Sequence, residues 1–179
     1  EVHQVYVYAS PPQVFAAVKS LRSVEISPLL FWMLSLRSLP ARLLGRNNPP
    51  TGEVEEAMQK PFIEQLFAGG FTNLGERPDE ELDFGLIGQF WELSGGKEVR
   101  VGSVDEFQAF HQSDFAKVAA NLHVQPDGER TVLTTETRIW APDEATRRKF
   151  AWYWQLISLG SGWIRWLWLN AIKRKAEQG

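Results

Sequence analysis

Residues 143–177 (DEATRRKFAWYWQLISLGSGWIRWLWLNAIKRKAE) decide the fold, because they predict one long helix. Apolar or small side chains recur in it at alternating spacings of four and three, the pattern of a helix with one buried face. A straight helix of this length measures about 52 Å, whereas a compact domain of this size is roughly 40 Å across. We therefore expect the helix to overhang the domain or to kink at residues 160–162. The stripe contains Phe150, Trp154, Ile157, Ser161, Ile164, Trp168 and Ala171.

The chain before this helix has the sequence pattern of an antiparallel sheet. Strand-length segments follow one another with turn residues between them, which is not the pattern of β-α-β units. Pro126-Asp127-Gly128-Glu129 predicts the turn of a hairpin. Residues 105–111 fit either a helical turn or a short extra strand. The predicted strands are 71–77, 82–93, 98–103, 115–125 and 131–140.

The N-terminal third adds one strand and several helices. Residues 2–9 are β-branched and aromatic, which favours a strand. Ser10 and Pro11 then have the character of an N-cap and a first helical position, and the helix is expected to run to about Leu21. Residues 23–44 have a helical apolar pattern that prolines interrupt. We interpret residues 24–44 as short helices that form a lid.

These elements predict an α+β fold in which a curved antiparallel sheet wraps around the C-terminal helix. In the last strand, Leu133, Thr135, Thr137 and Ile139 share the only uncharged face. We expect that face to lie under the helix, where the two threonine hydroxyls need partners from backbone, water or a ligand. Residues 1–179 are interpreted as one domain.

Composition excludes several classes of protein. The chain has 179 residues, 44% apolar and 23% charged, and no cysteine, which excludes a disordered tail and a disulfide scaffold. A net charge of −3 argues against nucleic acid as a partner. The most apolar run, residues 28–36, is far shorter than the roughly 20 residues that span a bilayer. We expect a cytoplasmic protein, with peripheral membrane attachment as a further option.

Two parts of the sequence resemble a known superfamily. The opening strand followed by Ser10-Pro11-Pro12, Val14-Phe15 and Val18 resembles the helix-grip superfamily of START-like lipid-transfer proteins, pollen allergens and polyketide cyclases. The tail is similar to uncharacterised bacterial members, through the runs at 135–138, 146–150 and 153–154 and the residues at 161–165. The resemblance implies a cavity for an apolar ligand between the sheet and the last helix. Residues 22–70 are longer and more helical than is usual there.

We therefore predict binding or transport of a hydrophobic small molecule or lipid, without a cofactor. The small residues Gly160, Ser161 and Gly162 leave volume opposite the sheet, which either a ligand or a phenylalanine can fill. For each of these positions plain core packing is the alternative to ligand contact. The predicted ligand contacts are Phe84, Phe90, Leu122, Thr135, Thr137, Phe150, Trp154 and Ser161.

An enzyme of cyclase or dehydratase type in the same cavity is the second hypothesis. Glu136 could act as a base with His123 and Arg138, if that face of the sheet were covered. The alternative is an exposed cross-strand polar cluster. No nucleophile motif is present, and the three histidines lack the spacing of a metal site. We assign no catalytic residue and no metal ligand.

A third hypothesis concerns the tryptophans that lie off the core stripe. Trp152 and Trp166 point away from the core direction, and we assign them, with Lys173, to a membrane or partner contact. Residues 147–179 contain seven Lys and Arg against Glu177, which is +6 and leaves −9 for residues 1–146. A basic helix with outward aromatic residues suits a membrane interface, a partner groove or a homodimer. Cover by Phe31, Trp32 and Leu36 is the structural alternative.

Overall fold

The computed structural model describes residues 1–26, 59–92 and 96–179. Most of the proposed lid, together with Phe31, Trp32 and Leu36, lies outside these ranges. In chain order the described elements are β1 (Val2–Val7), α1 (Pro11–Ser20), α2 (Ser23–Ile26), α3 (Phe62–Ala68), β2 (Thr72–Arg77), β3 (Glu81–Gly88), β4 (Glu98–Val99), α4 (Val104–Ala109), β5 (Ala116–Asp127), β6 (Arg130–Trp140) and α5 (Glu144–Gln178).

The predicted α+β class is confirmed. The strands form one curved antiparallel sheet in the order β1-β6-β5-β3-β2, with β4 paired to β3. β5 and β6 form the predicted hairpin, and Gly128 adopts the positive φ of 63° that its tight turn requires. The prediction that β3 continues to residue 93 is wrong, because the strand ends at Gly88.

The long C-terminal helix is also confirmed. α5 contains 35 residues and runs without interruption through Gly160-Ser161-Gly162. Its N-cap is Asp143, whose carboxylate accepts hydrogen bonds from the Thr146 backbone N–H at 2.8 Å and from the Thr146 hydroxyl at 3.0 Å. This cap satisfies one of the N–H groups that every helix start leaves without an intrahelical partner. A bend at the glycines stays a prediction.

The main core lies between the inner face of the sheet, α1 and the second half of α5. We call inner the face that carries Leu82, Leu122 and Leu133, all of which are fully buried. Leu169 and Ile172 of α5 pack into the same cluster. Full burial of side chains of this size contributes about 1.5–3 kcal/mol each. The end of α5 is therefore the part that holds the helix on the sheet.

The outer face of the sheet carries a second, smaller core. Residues 104–109 form helix α4, which settles the open choice between a helical turn and a strand. Its Phe107 packs with Ile87 and Phe115. Phe107 approaches the sheet at Gly85, where an added Cβ would lie 2.7 Å from the ring. The missing side chain at this position is what lets α4 cover the outer face.

We predict that Gly85→Ala lowers the free energy of unfolding by about 1–3 kcal/mol, because the new methyl group collides with Phe107 and Leu74. Urea denaturation measures this difference. Gly75→Ala is the matched control, since its Cβ would make only an ordinary contact at 3.6 Å with Asp83. Equal stability of the two variants would contradict the proposed close approach.

Candidate functional site

The first half of α5 is much less covered than the second. Phe150 and Trp168 are each 7% exposed and mark the two ends of the less covered stretch. The core-facing positions between them, Trp154, Ile157 and Ile164 among others, are only half-buried. The stripe predicted from the sequence is therefore real, but the described residues cover its middle only in part.

The sheet opposite this stretch is also incompletely covered. On the inner face, Val118 and Ala120 of β5 are half-buried, and Ile139 of β6 is 36% exposed. Ile139 is paired with Val118, and Thr137 with Ala120, so these residues adjoin one another. Two partly covered apolar surfaces thus belong to the same side of the sheet. We call the space between them the groove.

An aromatic cluster forms at the end of the groove where α5 begins. The rings of Phe150 and Trp154 are stacked with their centroids 6.0 Å apart. Phe90 meets Phe150 edge-on at 6.0 Å, and Tyr153 lies 5.8 Å from the same ring. Three predicted ligand contacts, Phe90, Phe150 and Trp154, are therefore neighbours in space, although about 60 residues of sequence separate the first from the others.

A polar cluster lies farther along the same helix. The Arg165 guanidinium donates to Glu1 Oε2 at 2.7 Å, to Ser161 Oγ at 2.9 Å and to Thr137 Oγ1 at 2.9 Å. His3 Nε2 lies 2.6 Å from Glu1 Oε1. Part of the volume that the small residues of α5 were expected to leave is thus filled by Arg165. Sequence reasoning did not assign Arg165 to the site, because its partners Glu1 and Thr137 are distant from it in sequence.

The other predicted ligand contacts are packed deeper. Phe84 is 4% exposed and Leu122 fully buried. The Thr135 hydroxyl donates to the Asn121 carbonyl at 2.7 Å, so backbone supplies the partner that this inward hydroxyl needs. The indole of Trp168 lies 6.2 Å from Phe84, and its N–H has no acceptor within the described part of the chain. A buried donor without an acceptor costs about 1–3 kcal/mol.

His123 and Glu136 lie on the outer face, away from the groove. His123 is paired with Glu81, and its neighbours Leu122 and Val124 are the residues that face inward. Glu136 forms an ion pair with Arg138 at 2.8 Å. These two residues therefore supply no acid or base to the groove. The titratable groups described there include Glu1, which contacts both His3 and Arg165, and Tyr153 of the aromatic cluster.

A cleft of about 430 Å³ lies on the outer face. Leu74, Val104 and Phe107 form its apolar wall. Asn121 of β5 bridges the two strands beside it at the floor of the cleft. Its Nδ2 donates to Glu81 Oε1 of β3 at 2.6 Å, and its Oδ1 accepts from the Glu136 backbone N–H of β6 at 2.8 Å. One sequence pattern indicates this cleft, because acidic side chains alternate with Leu82 and Phe84 along β3. The cover supplied by α4 was not predictable from that pattern.

Carboxyl groups of this cleft have shifted pKa values. Burial raises the pKa of Asp83, and the neighbouring Glu81 carboxylate raises it further. Burial opposes ionisation of Glu81 as well, but hydrogen bonds from Arg77 and Asn121 outweigh it and lower the pKa of Glu81. The hydrogen bond from Arg138 lowers the pKa of Glu136. Within the described ranges no group of side chains is arranged to hold a metal ion.

The three residues assigned to a membrane or partner contact lie outside the core. Trp152 is 72% and Trp166 55% exposed. The Lys173 ammonium lies 5.8 Å from the Tyr8 ring and 3.8 Å from Glu177. No helix in the described ranges combines the length and the apolar character that crossing a bilayer demands. Whether Trp152, Trp166 and Lys173 contact a membrane or a partner stays a prediction.

We predict that Gly160→Ala raises the free energy of unfolding by about 0.5–1 kcal/mol. Glycine weakens a helix interior, and a Cβ at Gly160 would meet nothing within 4 Å. Gly162→Ala is the matched control, because its Cβ would lie 3.1 Å from Glu1 Oε1, and we expect it to give a smaller gain or none. Thermal unfolding of both variants measures the difference, and an equal gain would show that Glu1 does not approach the helix.

We predict that Asp83→Asn raises the Tm at pH 7 by about 1–2 °C but not at pH 3. Because the pKa of Asp83 is raised on folding, ionisation costs stability as pH rises above its ordinary value of 3.8. The effect is small, since solvent screens a partly exposed carboxyl. Glu136→Gln is the control and should lower the Tm at pH 7, because the hydrogen bond from Arg138 stabilises the Glu136 carboxylate. The same change in Tm at both pH values would contradict the assignment.

The chain was compared with family models, with curated proteins and with solved structures. None of the three comparisons found a match. The resemblance to the helix-grip superfamily therefore stays an expectation from the sequence, and function has to be argued from the residues of this chain.

Proposed function

We propose that the protein binds or transports a hydrophobic small molecule or lipid in the groove between the sheet and the first half of α5. One observation carries the proposal: the core-facing stripe of α5 and the sheet face opposite it are both apolar and both only half-buried. Apolar surface of this kind gains free energy when a ligand covers it, about 25 cal/mol for each Å². Ligand sites are typically concave, apolar and furnished with few polar groups.

The polar cluster favours a ligand that carries oxygen at one end. A guanidinium has five N–H donors, and the three hydrogen bonds of Arg165 within the described chain leave two of them. The side chain of Arg165 is 15% exposed. A carboxylate or carbonyl oxygen at this end would accept from the remaining donors, while the apolar body extends toward Phe150 and Trp154. Lipids with a single acidic or carbonyl head have this form.

The acid and base first considered for catalysis do not reach the groove, because Glu136 and His123 lie on the outer face. Glu1 is the carboxylate of the groove, and both its oxygens are engaged, with Arg165 and with His3. A general base needs a carboxylate or imidazole that is available to the substrate. The imidazole of His3, whose Nε2 contacts Glu1, is the described group that could fill this role, so the cyclase or dehydratase hypothesis stays the second candidate. We further propose that the protein acts in the cytoplasm and without a resident cofactor, which rests on the sequence alone.

We predict that Trp154→Ala weakens binding of the neutral apolar dye N-phenyl-1-naphthylamine about tenfold, because the indole supplies part of the groove wall. Trp152→Ala is the matched control. It removes the same side chain two residues away on the same helix, from a position that is 72% exposed and faces away from the groove. Its dissociation constant should stay within about twofold of the wild type. Dye fluorescence measures both constants.

Native mass spectrometry of the protein purified without detergent completes this test. A bound apolar mass in the wild type, and its loss in Trp154→Ala, is the expected result. Circular dichroism of each variant establishes that it is folded. The proposal is wrong if the folded wild type binds neither the dye nor any co-purified molecule, or if both tryptophan variants weaken dye binding to the same extent.

A further inference from the structure

α5 carries a second apolar stripe, on the side opposite the groove. Its members recur at spacings of four and three, so they share one helix face. Four of them are among the most exposed large apolar residues described: Leu159 is 89%, Trp152 72%, Leu156 67% and Trp166 55% exposed. Trp163 lies in line with them and is half-buried. We call Trp152, Leu156, Leu159, Trp163 and Trp166 the outer stripe.

The outer stripe is uncharged along its length and has an arginine beyond each end. At about 100° per residue, Arg148 and Arg174 lie on the same side of the helix as the stripe, one turn before it and two turns after it. Both are exposed. The stripe from Trp152 to Trp166 is about 21 Å long, at 1.5 Å per residue. Monomers that remain in water seldom leave a contiguous apolar surface of this extent uncovered.

We propose that the outer stripe docks on the surface of a lipid bilayer that contains anionic lipids, with α5 lying in the plane of the membrane. Three members of the stripe are tryptophan, the side chain that concentrates at membrane–water interfaces because its ring is apolar and its N–H is polar. Both ends of the stripe are basic, because Arg147 and Arg148 share the one carboxylate of Glu144 and Arg174 is exposed beyond the other end, and this charge complements an anionic surface. An interfacial helix has this combination of an apolar side and basic residues.

Charge argues against a second copy in parallel orientation, because Arg148 and Arg174 would each lie beside the same residue of the other copy. An antiparallel copy is free of this conflict, since pairing Trp152 with Trp166 places Arg174 opposite Glu144. The ultracentrifuge measurement below distinguishes that arrangement from docking on lipid.

The test uses the full chain and unilamellar vesicles of phosphatidylcholine with about 30% phosphatidylglycerol, and vesicles of phosphatidylcholine alone. We expect co-sedimentation with the anionic vesicles to be at least tenfold stronger than with vesicles of phosphatidylcholine alone. It should weaken as the salt concentration is raised. Leu159→Asp places a negative charge in the centre of the stripe and should reduce binding at least tenfold. Because this position is 89% exposed, the substitution leaves the fold intact.

Tyr6→Ser is the matched control. It removes an aromatic side chain that is 43% exposed on β1, away from α5, and should bind vesicles as the wild type does. The proposal is overturned if the wild type does not sediment with anionic vesicles, or if Leu159→Asp sediments as strongly as the wild type. It is also overturned if the wild type is a dimer in the ultracentrifuge that Leu159→Asp dissociates, since a second copy then covers the stripe.

The membrane proposal and the ligand proposal fail separately, because they rest on opposite sides of α5. Leu159→Asp should bind N-phenyl-1-naphthylamine with the affinity of the wild type. Trp154→Ala, which should lose dye affinity, should still sediment with anionic vesicles. Loss of vesicle binding in Trp154→Ala, with its fold intact, would mean that lipid enters the groove rather than contacting the outer stripe, and would overturn the docking proposal.

Discussion

The architecture depends on the mismatch between the length of α5 and the size of the core that holds it. The helix has 35 residues, which is about 52 Å, but its closely spaced buried positions begin only at Trp168. There Leu169, Ala171 and Ile172 join the core formed with α1 and the inner face of the sheet. Burial of this short segment anchors the helix. Over the part that precedes it, neither face is fully covered by the described chain.

Arg165 marks the boundary between these two parts. A guanidinium near an apolar core costs free energy unless its donors find acceptors. Glu1, Ser161 and Thr137 supply them from the start of β1, from α5 itself and from the end of β6. The polar cluster therefore joins three separate elements at the point where the dry core ends. It also explains why Thr137 and Ser161, which are not apolar, occupy inward positions.

The two faces of the sheet carry different kinds of side chain. On the inner face, apolar residues meet α5, and both threonine hydroxyls highlighted in the sequence have partners in the protein. On the outer face, Gly85 admits Phe107, and α4 covers a cleft with an acidic floor. Asn121 holds two neighbouring strands of that floor together through Glu81 and the Glu136 backbone. Asp83 has no ion-pair partner among the described residues, and burial together with the neighbouring Glu81 carboxylate raises its pKa.

The sequence by itself determined the α+β class, the hairpin turn, the extent of α5 and the division of its tryptophans between a core side and an outer side. These features follow from local periodicity, because a side chain's position along a helix or strand decides the side on which it lies. Only the tertiary structure decided that Arg165 and its partners close one end of the groove, that α4 covers the outer face and that Phe90 lies beside Phe150. Each of these contacts joins residues distant in sequence, so it depends on how packed elements meet, which a local pattern does not contain.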